Sequence, residues 1–445
     1  SHTLRHWKEN CIKNKDKILK NFPSNIKINW PQENISFYDL VDKVDVVISK
    51  ASITIIEALF FEKPVVVYDN KLTNYPDSLV YTGNSKQDYF NNINIIACAD
   101  INKEAANKCA NEYNILSQTV EEILLNPDID IILNITVPQA HYEVSKKVLQ
   151  AGKHVYSEKP MSIKFEDAEE LFNIAKNNNL YFGNAPDTFL GGGGQLSREI
   201  IDSGDLGEIL TGNFIFAFPG MQTCHPDPES WFDIGGGPVV DMGPYFFTSL
   251  INLLGPAKNV RGRGVKFAEN RTYDIGSKKG NQFNVKVPTT YMFSLEFYNN
   301  SIIQGCLSFD VQNHNRNHME LYGTKGSIVV PDPNMFGGPV IISKELGSEW
   351  QEYSVEDKPL GKTNIFSQSS RSNEAPKQSN YRGAGLSEMI YAIEKNKKHR
   401  CSGDMALHVV DMIESTMISA KENNQVNFRS KCERPNPFFD SEIDK

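Results

Sequence analysis

The sequence predicts an α/β protein in which a Rossmann-like, doubly wound parallel sheet is followed by an α+β domain with a large, open, mostly antiparallel sheet. Up to about residue 184, short runs rich in Val and Ile alternate with segments rich in Ala, Leu, Glu and Lys, which is the order of parallel βαβ units. Beyond that residue, strand-like runs follow one another without intervening helices, as is typical of antiparallel pairing. The length of 445 residues agrees with two or three domains.

Three segments follow from this pattern: an N-terminal βαβ segment over 1–75, a Rossmann-like domain over 76–184 and an α+β domain over 185–445. In the first, "DVVIS" and "VVVYDN" are predicted strands on either side of the helix "ITIIEALFFEKP". In the second, the predicted order is strand "INIIACAD", helix "INKEAANKCANEYN", strand "DIDIILNITV", helix "AHYEVSKKVLQAGK" and strand "HVYSEK". The carboxyl ends of such parallel strands border a ligand crevice.

The third segment begins with a predicted amphipathic helix and turn, "LSREIIDSGDLGEI". Predicted strands follow in "ILTGNFIFAF", "YMFSLEFY", "SIIQGCLSFDV", "HMELYG" and "GSIVVP". The helix "ALHVVDMIESTMISAKENN" closes the fold, while "FSQSSRSNEAPKQSNYRGAG" has the composition of a long loop and "KCERPNPFFDSEIDK" that of an extended tail. An open sheet leaves one face to cover, so we expect a homo-oligomer formed through it.

Composition argues against two classes of partner. The net charge of -9 does not fit a nucleic-acid surface, which needs a basic face. The apolar runs are far shorter than the roughly 20 residues that cross a bilayer, and the first residues do not resemble a signal segment. The seven cysteines include no Cys-x-x-Cys pair, which favours a reducing, cytoplasmic location without a disulfide framework or a metal site.

The first candidate for chemistry is Lys159 in "HVYSEKPMSI", directly after a predicted buried strand. The residue before a proline is biased to extended geometry and Pro160 fixes the turn, so the ammonium group has a defined direction. Beside a nicotinamide ring, this cation could hydrogen-bond a substrate hydroxyl and favour its alkoxide character. The alternative interpretation is a surface lysine paired with Glu158.

The second candidate is "GGGPVVDMGPYFFTSLINLLG", residues 235–255. Its glycines allow a close approach of the backbone, and the helix that follows carries Asp241 and Tyr245 four residues apart on one face. A carboxylate and a phenol so placed can move a proton between them or to a bound polyol. The alternatives are an acidic residue favoured by the helix dipole and a half-buried core tyrosine.

The third candidate is Asp100 at the end of "INIIACAD". An acidic residue after the second strand of a Rossmann unit can accept hydrogen bonds from an adenosine ribose, which favours NAD over NADP. The alternative role is the N-cap of the following helix, and one residue can serve both.

Together these residues resemble the family that includes glucose-fructose oxidoreductase, inositol dehydrogenase and MocA proteins, over about 78–445. "AGKHVYSEKPMSI" resembles its Glu-Lys-Pro signature, "GGGPVVDMGPY" its second catalytic segment, and "NITVPQAHYEVSKKVLQAGKHV" its Thr-Pro-Asn-x-x-His cofactor stretch. The resemblance implies an NAD-dependent oxidoreductase, with NADP as the alternative cofactor, that acts on a sugar, a polyol or a related small molecule.

The resemblance also implies roles for individual residues. Lys159, Asp241 and Tyr245 would be catalytic, with Tyr245 at the place where inositol dehydrogenases carry a histidine acid/base. The implied cofactor-binding residues are Gly83, Asp100, Thr136, Pro138, His141, Glu158 and Lys159. Loop residues can line a substrate pocket, and the candidates here are His225, Trp231, Asn315 and His318.

The chain departs from the family pattern at the first glycine-rich loop. Gly-x-Gly-x-x-Gly is expected after the first strand, whereas "SLVYTGNSKQDYF" offers only Gly83. This shortening motivates the alternative hypothesis of a non-catalytic family member with impaired cofactor binding, the product of a fusion or a deletion.

Residues 36–70 resemble part of the C-terminal half of GT-B polysaccharide glycosyltransferases, in which Ser52 and Glu57 would approach a nucleotide-sugar. About 75 residues supply only part of one of the two domains that such a site needs, so we do not expect transferase activity. A second Glu-Lys-Pro, at Lys63, precedes a predicted strand instead of following one, and we interpret it as a loop.

Overall fold

A computed structural model describes residues 47–49, 65–67, 94–363, 365–366 and 377–438. The chain divides into two compact units, Ser1–Pro76 with Asn364–Gln378, and Asp77–Thr363 with Ser379–Lys445.

In the first unit, strands β1 (Val47–Ser49) and β2 (Val65–Val67) pair in parallel, as the strands of a βαβ unit do. The predicted helix between them, together with Ser52, Glu57 and Lys63, lies outside the described residues. Within the segment predicted as a long loop, Ile365–Phe366 pairs antiparallel with Lys377–Gln378.

The second unit begins with parallel strands and intervening helices. They are β3 (Ala97–Cys98), α1 (Lys103–Tyr113), β4 (Leu116–Ser117), α2 (Val120–Leu125), β5 (Ile131–Asn134), a 3-10 turn (Pro138–Ala140), α3 (His141–Gln150), β6 (His154–Ser157), α4 (Phe165–Asn177) and β7 (Phe182–Asn184). β5, β6 and β7 form one parallel sheet in that order, and β3 pairs in parallel with β4. Parallel strands with helices between them confirm the predicted Rossmann-like fold.

The strand predicted over "INIIACAD" is confined to Ala97–Cys98. The neighbouring Ile95 is 66% exposed, so this stretch has no buried side that would extend the strand. Helix α1 begins after Asn102, whose side chain accepts the backbone N–H of Glu104 at 3.0 Å. The N-cap role considered for Asp100 is therefore wrong, since the Asp100 carboxylate accepts the N–H of Asn102 at 2.7 Å in the preceding turn.

The remainder of the second unit is built on one large sheet. Its elements are a 3-10 turn (Thr188–Leu190), α5 (Gly192–Asp202), β8 (Ile209–Ala217), two 3-10 turns (Met221–Thr223 and Glu229–Trp231), α6 (Pro238–Leu254), β9 (Ala257–Val265), β10 (Asn270–Thr272), β11 (Gln282–Asn284), β12 (Thr290–Phe297), β13 (Ile302–Ser308), β14 (Met319–Gly323), β15 (Ser327–Val330), β16 (Val340–Ser343), β17 (Gln351–Tyr353), α7 (Ala384–Lys395), α8 (Gly403–Glu422) and a last strand, Val426–Asn427. The order across the sheet is β17-β16-β15-β14-β8-β13-β12-β9, followed by Val426–Asn427.

This sheet confirms the predicted open, mostly antiparallel architecture, since only the β8–β13 pairing is parallel. Helices α6 and α8 cover one face of it and bury the largest core of the molecule. Aromatic packing fixes α6 on the sheet, with the rings of Phe214 and Phe246 stacked at 4.9 Å between centroids. On the sheet, Met292 and Ile302 are each 54% exposed. The homo-oligomer expected through this sheet stays a prediction.

Helix α8 belongs to both parts of the second unit. Its residues Ala406, Leu407 and Val410 join the Rossmann-side core, while Val409 and Ile413 join the core of the large sheet. A single helix that packs into two cores fixes the two sheets relative to each other. Residues at the carboxyl ends of the parallel strands can therefore meet residues of α6 in a defined geometry.

Two buried histidines make stability depend on pH. Burial lowers the pKa of His399 and of His408 from 6.5 to about 4. The unfolded chain thus takes up protons between about pH 6.5 and 4 that the folded protein does not, and the free energy of unfolding falls as the pH falls through this window. We expect a loss on the order of 3 kcal/mol per histidine across the window.

Urea unfolding at several pH values from 7 to about 4 measures this effect. His408 Nε2 accepts the N–H of Ala257 at 3.1 Å and Nδ1 lies 3.0 Å from the Ser430 hydroxyl, so His408→Gln keeps an amide at the site without a titratable group. In this variant, unfolding should take up about one proton fewer, so the free energy of unfolding should depend less steeply on pH. An unchanged slope would show that His408 is not one of the titrating groups.

Candidate active site

The candidate site begins at the carboxyl ends of the three central parallel strands. The register places Asn134, Ser157 and Asn184 side by side at these ends. The Asn184 side chain donates to the carbonyl oxygens of Ser157 at 2.9 Å and Glu158 at 3.0 Å. The turn that follows β6 is thereby fixed, and it contains Lys159 and the cis peptide between Lys159 and Pro160.

Lys159 is bound to Asp241 across the two parts of the unit. Its Nζ donates to Asp241 Oδ1 at 2.9 Å and to the Asp241 carbonyl oxygen at 2.6 Å. The two side chains are only 16% and 21% exposed. The alternative interpretation, a surface pair with Glu158, is wrong, since the Glu158 carboxylate accepts the backbone N–H of Lys159 at 3.0 Å instead.

The ammonium group of Lys159 is held in its charged form. Burial alone disfavours the charge, but the negative charge of Asp241, the Tyr245 phenol and the hydrogen bond to Asp241 outweigh burial and raise the pKa of Lys159 above 10.5. An ammonium group has three N–H donors, and Asp241 accepts two of them. Lys159 therefore has one N–H donor left for a ligand oxygen.

Helix α6 owes its starting point to the glycines that precede it. A Cβ on Gly236 would lie 2.4 Å from the Ser230 carbonyl oxygen, so only glycine allows this close approach of the two backbone segments. Gly237 has a φ of 96° and donates its N–H to the Trp231 carbonyl oxygen at 2.8 Å. Pro238 then opens the helix. Asp241 in its first turn is the one helix residue that is not buried.

Tyr245 lies one turn after Asp241 and is 8% exposed. Lys159 Nζ lies 5.1 Å from the centroid of its ring, and the Arg382 guanidinium carbon lies 5.5 Å from the same centroid. Arg382 also donates a hydrogen bond of 3.3 Å to the Tyr245 hydroxyl oxygen. The structure thus brings together the three residues predicted to be catalytic and adds a second cation, Arg382.

Sequence reasoning missed three residues of this site: Asp187, Asn334 and Arg382. Asn334 accepts from Arg382, and Asp187 accepts the N–H groups of Gly383 and Gly385. Burial raises the pKa of Asp187 despite the opposing effect of these two N–H groups. The only signal in the sequence was a single arginine between Tyr381 and Gly383, in a stretch predicted as a loop.

Apart from Glu158 and Lys159, described above, the predicted cofactor-binding residues fall into three groups. Asp100 and Thr136 are exposed after the ends of β3 and β5, and Pro138 opens the 3-10 turn before α3. His141 is completely buried, with one ring nitrogen 2.6 Å from the Pro160 carbonyl oxygen and the other 2.8 Å from that of Thr136. In this structure the His141 ring links two loops of the crevice, and its cofactor-binding role stays a prediction. Gly83 lies outside the described residues.

The predicted substrate-binding residues lie in two places. The rings of His225 and Trp231 are in contact, with 4.8 Å between their centroids, in the segment that leads to α6. His318 Nε2 lies 3.8 Å from an oxygen of Asp332, whose other oxygen accepts the N–H of Asn334 at 3.0 Å. This chain of contacts connects His318 to the Arg382 side of the site. The substrate roles of all these residues, Asn315 included, stay predictions.

The described residues contain neither a cluster suited to a metal ion nor a helix suited to crossing a membrane. Within residues 94–363 and 377–438, no group of three or more His, Cys, Asp and Glu side chains is arranged to hold a metal ion. In the same part of the chain, no helix has both the length and the apolar character needed to cross a membrane.

The second unit combines a parallel Rossmann-type sheet with an adjoining open sheet, and a buried Lys–Asp pair lies at the ends of the parallel strands. This combination is typical of NAD-binding oxidoreductases that have a Rossmann domain and a second, sheet-based domain. Two family models match the chain: "Oxidoreductase family, NAD-binding Rossmann fold" over residues 80–185 and "GFO/IDH/MocA C-terminal domain" over residues 195–329. Together they span more than half of its length. The chain therefore belongs to the GFO/IDH/MocA oxidoreductase family, and the match confirms the predicted NAD cofactor.

Individual relatives agree with this assignment. An uncharacterized oxidoreductase of Synechocystis sp. is 27% identical over 56% of this chain and 67% of its own length. A dTDP-3,4-didehydro-2,6-dideoxy-alpha-D-glucose 3-reductase of Saccharopolyspora spinosa is 27% identical over 47% of this chain and 58% of its own length. A levoglucosan dehydrogenase solved with NADH and L-sorbose has a TM-score of 0.63 at 18% identity, covering 75% of this chain and 90% of that one, which shows a shared fold.

Neither family match extends into the N-terminal segment, because the first begins at residue 80. The resemblance of residues 36–70 to a glycosyltransferase fragment stays a prediction, as do the three domain boundaries and the cytoplasmic location.

Proposed function

We propose that this chain is an NAD-dependent oxidoreductase that transfers a hydride between nicotinamide and a carbon of a sugar, a polyol or a related small molecule. The observation that carries the proposal is the Lys159 ammonium group, held by Asp241 beside Tyr245 at the carboxyl end of β6. A sugar-nucleotide reductase among the relatives, and the neighbouring structure with bound L-sorbose, support the substrate class.

The roles of the side chains follow from their hydrogen bonds. Asp241 keeps Lys159 charged and directs it, and the remaining N–H of Lys159 can donate to a substrate oxygen as negative charge develops there. The Tyr245 hydroxyl, one helical turn away, would exchange a proton with that oxygen. Bound NAD would accept or supply the hydride.

The residues of the crevice fit a dinucleotide. The Asp100 carboxylate is exposed at the end of β3, where a ribose hydroxyl can donate to it. The exposed Thr136 lies beyond the end of β5 and Glu158 follows β6, so these two polar groups lie at the carboxyl ends of neighbouring strands of one sheet. These residues would hold the cofactor; NADP remains the alternative to NAD.

The proposal predicts that the protein binds NADH and turns over at least one sugar or polyol. Calorimetry with NADH, NADPH and their oxidised forms measures binding, and absorbance of the reduced nicotinamide measures turnover across a panel of sugars, polyols and their keto forms. We expect dissociation constants in the micromolar range for NADH, and tighter binding of NADH than of NADPH because Asp100 would repel a 2′-phosphate.

Asp100→Ser provides a matched control for cofactor choice. It removes the carboxylate and keeps a side-chain oxygen that can accept the N–H of Asn102. The variant should lower the ratio of the NADPH to the NADH dissociation constant, and its Tm should stay within a few degrees of that of the parent. Absence of NADH binding at millimolar concentration would contradict the proposal and favour the alternative, a non-catalytic family member.

A further inference from the structure

We infer that Arg382 is a positioning residue for Tyr245: it fixes the Tyr245 hydroxyl so that its hydrogen points away from the protein and toward the substrate. The inference rests on the proposed function and extends it to a residue in a stretch that the sequence predicts as a loop. It follows from how Arg382 is held and from the direction of the hydrogen bond between Arg382 and Tyr245.

Arg382 is held at both ends. Its backbone precedes Gly383, and the N–H groups of Gly383 and Gly385 donate to the buried Asp187 carboxylate at 2.8 and 3.0 Å. At the other end, the guanidinium group donates to the Asn334 side-chain oxygen at 2.7 Å and to its carbonyl oxygen at 3.2 Å. An arginine on a surface loop ordinarily samples many rotamers, so this anchoring restricts it to one orientation.

Asn334 is itself fixed. Its N–H donates to Asp332 at 3.0 Å, and the carbonyl oxygen of the preceding Pro333 accepts from the Thr188 hydroxyl at 2.6 Å. Thr188 follows directly after Asp187 in the sequence, so the same short segment supports both the Gly383 turn and the acceptor of the guanidinium group. Arg382 is therefore positioned by residues from three separate parts of the chain.

The direction of the Arg382–Tyr245 hydrogen bond is set by chemistry. A guanidinium group has only donors, so the Tyr245 oxygen must be the acceptor of the 3.3 Å contact. The hydroxyl hydrogen of Tyr245 is then left for another acceptor. In the part of the chain that the structure describes, Tyr245 donates no hydrogen bond to a protein group, so a substrate oxygen can take that place.

Without Arg382, the Tyr245 hydroxyl loses the donor that defines its orientation, and its hydrogen can rotate to other directions. The positive charge of the guanidinium group beside the Tyr245 oxygen is lost as well. Both effects act through the hydroxyl group, which phenylalanine lacks. The contribution of Arg382 to turnover should therefore depend on the presence of that hydroxyl.

A double-mutant cycle tests this dependence. Arg382→Met, Tyr245→Phe and the double variant are compared with the parent protein, using kcat and KM for the best substrate of the panel and NADH affinity by calorimetry. We expect Arg382→Met to lower kcat by roughly 10- to 100-fold in the parent and by less than about threefold in the Tyr245→Phe background, with NADH affinity unchanged. Arg382→Lys, which keeps a cationic donor, should recover part of the lost kcat.

Arg263→Met is the matched control, because Arg263 is exposed on β9 opposite Met292, which is also exposed. This variant should retain the kcat of the parent. Equal losses of kcat from Arg382→Met in both backgrounds would show a merely structural effect and overturn the inference. If the parent itself binds no NADH and turns over no substrate, the proposed function fails and the inference fails with it.

Discussion

Replacing Lys159 with methionine should lower kcat by at least about 1000-fold while leaving NADH affinity within a factor of about three. In the part of the chain that the structure describes, Asp241 holds no side-chain ammonium other than that of Lys159, whose third N–H is the donor available to a substrate oxygen. Methionine occupies a similar volume and has no donor, so the variant removes the charge without leaving a large cavity.

Steady-state kinetics and calorimetry on the same preparation separate the two effects. Lys146→Met is a closely matched control, since Lys146 also combines a carboxylate with a tyrosine: its Nζ lies 2.7 Å from Glu170 and 2.9 Å from the Tyr142 hydroxyl. That trio lies on helices α3 and α4 and has no hydrogen bond to Asp241 or Tyr245 among the described residues, so Lys146→Met should keep full activity. Similar losses in the two variants would show that Lys159 has no special role.

Part of this site could be predicted from sequence because its residues sit at the boundaries of regular elements. Lys159 follows a strand and Asp241 lies in the first turn of a helix, so the periodicities of strand and helix already place them. Their pairing at 2.9 Å joins residues 82 positions apart, and only the way α8 packs into both cores brings them together. The family resemblance assigned both residues to one catalytic site, and their ion pair is a finding of the structure.

Other parts could not be predicted, for identifiable physical reasons. Arg382 lies outside any periodic segment, and its position depends on Asp187, which is 195 residues earlier in the chain. His141 occupies a motif position that suggests a cofactor contact, yet burial turns its ring toward two carbonyl oxygens. The N-cap of α1 is Asn102, although Asp100 is an equally good capping residue by type, because tertiary context decides where a helix begins.

Replacing Asp241 with asparagine should make activity strongly dependent on pH. Burial opposes the charge on Lys159, and the negative charge of Asp241 is the largest of the effects that raise the pKa of Lys159 above 10.5. Asparagine keeps an oxygen that can accept the N–H of Lys159 but removes this charge, so the pKa of Lys159 falls. The ammonium form is then lost as the pH rises through the lowered pKa, and the donor to the substrate oxygen weakens with it.

We therefore expect the alkaline limb of the pH profile of kcat to move to lower pH in Asp241→Asn. The loss of kcat relative to the parent should be largest near pH 9 and smaller near pH 6.5, where the lysine stays protonated. Removing one partner of a buried pair also costs stability, and urea unfolding at neutral pH should show a loss of about 1–3 kcal/mol.

Asp202→Asn is the control for the loss of a carboxylate. Asp202 pairs with Arg198 and Arg434, whose guanidinium groups stay charged at every pH of the assay, so this variant should keep the pH profile of the parent. A uniform decrease of kcat in Asp241→Asn, with the alkaline limb unmoved, would mean that Asp241 orients Lys159 without controlling its protonation. A limb that moves to lower pH in Asp241→Asn alone would identify the Lys159 ammonium as the form of the enzyme that turns over substrate.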